Sequence, residues 1–77
     1  MEKKLKIIFS QIFEINISQI NDHSSSDNIE RWDSLNHTNL IVALEQAFEV
    51  SFTADEIIDM LNFKQIRIIL EQKLKVD

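Results

Sequence analysis

Glycine and proline are both missing from all 77 residues of this chain. Two-residue hairpin turns, glycine-rich phosphate loops and dinucleotide-binding turns all depend on backbone angles that glycine reaches without strain. A chain that lacks it is pushed toward helices. The joining loops then rely on Asn, Asp and Ser, whose side chains hydrogen-bond to nearby backbone. Those residues are plentiful here, and they cluster where the apolar pattern lapses.

The apolar pattern itself is helical. Leu5, Ile8, Phe9, Ile12 and Phe13 lie on one face of a 3.6-residue period and predict a first helix ending near Ile15 or Asn16. Residues 16–33 then form a long polar connection, with Ser24, Ser25 and Ser26 read as a flexible spacer. Ile17, Ile20, Ile29 and Trp32 are its expected anchors on the core. Asp33 is a good N-cap for a second helix from Ser34 to Phe48, which buries Leu40, Ile41, Leu44, Ala47 and Phe48. Asn36 stands where a full capping box has Glu or Gln. Thr53-Ala54-Asp55-Glu56 does match a capping box and opens a short third helix through Met60. Asn62-Phe63-Lys64-Gln65 repeats that logic for a fourth helix, which buries Phe63, Ile66, Ile69, Leu70 and Leu74. The expected fold is all-α, a four-helix bundle with three long helices and a short third one.

This length suits one domain, residues 1–77, and a monomer is expected. A domain so small buries only about 60% of its unfolded surface, so its stability is modest. There is no cysteine, which excludes disulfides and thiolate metal sites. No apolar run approaches the roughly 20 residues that span a bilayer, and no secretory segment is visible, so no membrane insertion and a cytoplasmic location are expected. The net charge is −5, and residues 14–63 hold ten carboxylates against Arg31 alone. An acidic middle repels nucleic acid and attracts basic protein patches.

Most catalytic signatures are missing. His23 and His37 are the two histidines, and neither stands at a zinc-protease spacing. Asp55, Glu56 and Asp59 lack the ligand order of a calcium loop and read as a solvated helix face, so no metal is expected. Ser34 and His37 are neighbours on a helix, a common and weak spacing for a nucleophile and its base. The chemistry-bearing position that remains is Trp32-Asp33-Ser34-Leu35 at the head of the second helix. Taken alone, it reads as a structural cap.

In context, that position resembles the acyl carrier protein family over almost the whole chain. A first-helix stripe leads through a long loop to Asp33-Ser34-Leu35. An acidic helix follows, ending Ala43-Leu44-Glu45-Gln46-Ala47-Phe48-Glu49-Val50, then a short and a closing helix. Trp32-Asp33-Ser34-Leu35-Asn36-His37 is closer to carriers of specialised pathways than to the primary fatty acid carrier.

The resemblance implies that Ser34, flanked by Asp33 and Leu35, is esterified by 4′-phosphopantetheine from coenzyme A. A phosphopantetheinyl transferase with Mg²⁺ makes that bond, and the arm's thiol then holds acyl groups as thioesters. It implies further partners, the acyl-loading and acyl-accepting enzymes of fatty acid or specialised metabolite biosynthesis. They would dock on Leu35, Val42, Glu45 and Glu49 of helix 2 and Asp55, Glu56 and Asp59 of helix 3. The carrier itself need not be an enzyme, because the chemistry is the cofactor's and the partners'. Acyl chains fold back into some members, and Leu40, Leu44, Phe48, Phe52, Ile57 and Met60 are the candidate lining. Their bulk predicts little preformed cavity and short or polar cargo.

The chain departs from the family pattern where Trp32 replaces a common glycine. Asn36, Asn39 and Ala47 also stand at often acidic positions, which points to a dedicated pathway with a less basic partner. Two alternatives stay open: an aminoacyl or peptidyl carrier, which differs in cargo, and an unmodified helical adaptor, in which Ser34 is only a cap.

Overall fold

The computed structural model describes residues 1–75. Four helices follow in order: α1 (Glu2–Phe13), α2 (Ser34–Phe48), α3 (Ala54–Asp59) and α4 (Phe63–Leu74). Three are long and α3 has only six residues, so the expected all-α bundle is the fold observed. The α2 boundaries match the sequence reading. α1 stops earlier than expected, at Phe13, and α3 stops at Asp59 rather than Met60.

The early stop of α1 has a local cause. Glu14 enters the left-handed region at φ 54°, and its N–H turns back to the carbonyl of Ser10. α2 ends the same way at Glu49, φ 55°, with its N–H on the Glu45 carbonyl. Glycine is the usual residue at such a position. A side chain there costs roughly 1 kcal/mol, and this glycine-free chain accepts that cost twice. Each time the next residue, Ile15 or Val50, packs back against the core.

The core is centred on an aromatic cluster. The Phe9 ring meets Phe13, Trp32 and Phe63 edge-on, at centroid distances of 5.5, 5.6 and 5.0 Å. Trp32 also stacks on Phe13 at 4.9 Å. Fully burying one such ring contributes about 2–3 kcal/mol, with about 1 kcal/mol more for edge-to-face geometry. The cluster therefore fixes Trp32, and with it the start of α2.

The connection between α1 and α2 is built rather than loose. A 3-10 turn occupies Ile17–Gln19. Asn21 Oδ1 accepts the His23 N–H, Ser25 Oγ accepts the Asp27 N–H and Asn28 Oδ1 accepts the Ser25 N–H. These are the side-chain turns expected of a chain without glycine. Ser24 corrects the flexible-spacer reading. It is buried, its hydroxyl accepts the Asn21 N–H, and its carbonyl accepts the Phe63 N–H at 2.8 Å. Ile20, Ile29 and Trp32 are anchors as expected, but Ile17 is exposed on the 3-10 turn. Ala47 and Phe48 of α2, and Ile69 and Leu74 of α4, are partly buried and lie at the margin of the core.

Candidate functional site

The head of α2 is held from both sides of Ser34. Before it, Trp32 is seated in the aromatic cluster. Around it, Asp33 caps the helix, its Oδ1 accepting the Asn36 N–H at 2.8 Å. Asn36 does not complete a capping box. Its amide donates instead to the Arg31 carbonyl at 2.7 Å, which tightens the turn into the helix. Ser34 is the first residue of α2 and is exposed. N–H groups in a first helical turn lack intrahelical acceptors, so an anion attached here meets donors and the positive end of the helix dipole.

An open groove of about 540 Å³ lies beside Ser34, between the head of α2 and α3. Trp32, His37, Ile57 and Met60 line it, with Ile58 and Leu61 at its edge toward solvent. Of the lining expected from sequence, Ile57 and Met60 are present. Leu40, Leu44, Phe48 and Phe52 are not, because Leu40, Leu44 and Phe52 are buried in the core and Phe48 packs against it. The groove is thus a surface feature rather than an internal chamber.

Both nitrogens of His37 are engaged. Trp32 Nε1–H donates to Nδ1 at 3.0 Å, and Nε2 lies 3.3 Å from the Ile57 carbonyl oxygen. The imidazole is therefore committed to neighbours other than the Ser34 hydroxyl, and the pair lacks the nucleophile–base contact that a triad needs. Among the described residues no group of three or more His, Asp or Glu is gathered as a metal ion requires.

The residues expected to meet partners divide into two sets. Leu35, Val42, Glu49, Asp55 and Asp59 are exposed. Glu45 and Glu56 carry carboxylates with internal tasks. Glu45 Oε2 accepts the Phe52 N–H at 2.9 Å. Glu56 Oε1 accepts the Thr53 N–H and pairs with Lys73 at 2.9 Å. The Lys73 hydrogen bond, helped by the Thr53 backbone, holds the Glu56 carboxyl below its ordinary value. Sequence reasoning missed Ile58 and Leu61, each 68% exposed and comparable with Leu35 at 70%. The available signal was the run Ile57-Ile58-Asp59-Met60-Leu61, which holds more bulky apolar residues than one buried face of a six-residue helix and its end can take.

A helical bundle that holds out a serine hydroxyl at a helix head, beside an open groove, is a scaffold for a tethered group. The chain belongs to the phosphopantetheine attachment site family, whose model matches residues 3–67. Its architecture is the acyl-carrier-like bundle, and the family carries 4′-phosphopantetheine covalently on a serine. This is a phosphopantetheine-carrying carrier protein. Carrier domains of the family are generally not catalytic themselves and work with modifying transferases and pathway enzymes. No curated protein matches the chain. Among the described residues, no helix is long and apolar enough to cross a membrane.

The head of α2 fits the group. Ser34 supplies an exposed hydroxyl, and the first turn supplies donors for a phosphodiester. The groove is within the few-hundred to ~1,000 Å³ range of small-molecule sites. Once attached, the arm supplies the thiol that this cysteine-free chain lacks.

Proposed function

We propose that the protein is a cytoplasmic, monomeric acyl carrier, one domain in extent, with its arm on Ser34. Acyl groups ride on that arm as thioesters between the enzymes of a dedicated biosynthetic pathway. The observation that supports this best is the exposure of Ser34 at the capped head of α2, beside a groove. Asp33 holds the helix start in the geometry a transferase meets. Leu35 is the apolar contact next to the attachment point. Val42, Glu49, Asp55 and Asp59 extend the partner face, an apolar centre with a carboxylate rim that raises association rate and selectivity. Asn36, Asn39 and Ala47 make α2 less acidic, which favours a partner less basic than the general fatty acid enzymes.

The test is modification followed by loading. The protein is incubated with coenzyme A, Mg²⁺ and a broad-specificity phosphopantetheinyl transferase, and intact mass is recorded. A gain of one phosphopantetheine is expected, and none in Ser34→Ala. The modified protein is then offered to acyltransferases and to amino-acid-adenylating enzymes. Charging by the acyltransferases supports the acyl reading; charging by the adenylating enzymes alone overturns it in favour of an aminoacyl carrier. A wild-type protein left unmodified beside a competent control would return Ser34 to the role of a cap.

A further inference from the structure

Three segments meet beside Ser34, and the imidazole of His37 joins them. It belongs to α2, accepts from Trp32 of the preceding turn at 3.0 Å, and lies 3.3 Å from the carbonyl of Ile57 in α3. Its ring is nearly parallel to the indole, at 18° and 6.2 Å. The indole N–H can only donate, so Nδ1 must present a lone pair. In the neutral ring the proton is then on Nε2, which donates to Ile57. The chain around the site fixes this tautomer without any further group.

α3 needs such a hold. A helix of six residues is too short to be stable alone. Its start is secured by the Thr53–Glu56 capping box and by Lys73. His37 supplies a hold at its other end, where the Ile57 carbonyl also accepts the Met60 N–H. Ile57, Ile58, Met60 and Leu61 form the α3 side of the groove, so the groove keeps its shape as long as that end stays put.

We propose that His37 is the positioning residue of the attachment site, a latch that holds α3 and the Trp32 turn against the head of α2. Trp32 is buried and stacked on Phe13, so the indole is held, and the imidazole that accepts from it carries that hold across to Ile57. The other charged groups on the elements that meet here do not replace the latch. Asp33 lines the same groove but is occupied by the Asn36 N–H. On α3, Asp55 and Asp59 are exposed and Glu56 is paired with Lys73. On the loop, His23, Asp27 and Glu30 are exposed, Arg31 is paired with Glu14 and Asp22 with Arg67. On α2, Glu45 is taken by the Phe52 N–H and Glu49 lies past the far end. The latch stands without the carrier reading; its effect on Ser34 rests on that reading.

Trp32 is the only tryptophan, so its emission and its indole N–H resonance report the latch directly. The full chain is compared with His37→Gln and His37→Leu. A glutamine amide accepts from the indole and donates to Ile57 as the imidazole does, and leucine does neither. The Trp32 signals of His37→Gln should match those of wild type, and those of His37→Leu should not. Near neutrality, His37→Leu should raise the transferase KM for the protein roughly two- to tenfold, the worth of one net hydrogen bond. kcat should hold, and His37→Gln should restore KM. A His37→Gln KM no better than that of His37→Leu overturns the proposal, and so does a His37→Gln indole N–H resonance unlike the wild type's, whether or not His37→Leu folds. Wild-type-like Trp32 signals in His37→Gln, with no protein modified at all, would support the latch and overturn the assignment of Ser34 instead.

Discussion

At its C-terminal end α2 is covered and tied down. Lys4 Nζ donates to the Ala47 carbonyl at 2.8 Å and stands 4.9 Å from the centre of the Phe48 ring. The Glu45 carboxylate takes the Phe52 N–H, and Lys73 lies over the Phe52 ring while pairing with Glu56. Cations and helix carbonyls meet there in the favourable sense of the helix dipole. At its N-terminal end, α2 is left open. Leu35 projects into solvent, with Ile58 and Leu61 exposed on the α3 side, and among the described residues the Ser34 hydroxyl has none of the bonds that fill the other end. One helix thus has a finished end that serves stability and an open end, where the proposed tether and its partners would meet it. In a bundle this small, apolar surface left in water forgoes about 25 cal/mol per Å². Among the described residues its barest large apolar side chains, Leu35, Ile58 and Leu61, are at this end.

The contrast is broken most sharply at the finished end. Phe52→Ala removes a buried ring and should cost about 3 kcal/mol, read as a lower urea midpoint, while the fraction still folded should be modified at Ser34 as before. Glu49→Gly should act in the opposite direction. Relief of the left-handed angle exceeds the extra unfolded-state freedom of glycine, so stability should rise by about 0.5–1 kcal/mol.

Glu56→Gln sharpens the same end by its pH dependence. Glutamine keeps the capping box and removes the charge facing Lys73. Because the Glu56 carboxyl is held below its ordinary value, its contribution is complete above the ordinary carboxylate range. It is lost as the pH falls through the lowered value. Thermal unfolding should therefore show wild type ahead of Glu56→Gln near neutrality, and the gap should close in acid. A gap that stays constant with pH would mean the pair contributes nothing through charge. The smallest effect on stability belongs to the open end. Leu35→Ala should leave unfolding within about 0.5 kcal/mol of wild type, yet weaken the transferase's hold on the protein.

Much of this was legible in the sequence because it is local. Asp33, Thr53 and Asn62 each accept the N–H three residues on, at 2.8, 3.1 and 2.8 Å, and such bonds need only the chain's own next turn. The α2 boundaries, the position of Ser34 and the short α3 follow from those caps and the apolar period. The end of α1 was less legible. Its stop signal is a left-handed glutamate, and with no glycine to mark it the pattern runs on into Ile15.

The sequence by itself therefore determined which stretches become helices, where α2 begins, and that Ser34 stands at its head. The tertiary structure decided which side chains remain available there. Glu45 and Glu56 face solvent on a helical wheel, but Glu45 is claimed by Phe52, seven residues on, and Glu56 by Lys73 of α4. His37 is three residues from Ser34 in sequence, yet its imidazole goes to Trp32 and to Ile57, twenty residues away. Ile58 and Leu61 are left bare by α3, and Ile17 by the 3-10 turn. The physical reason is common to all of them. A helix sets the direction in which a side chain points, and only the packing of distant segments sets whether a partner is waiting in that direction.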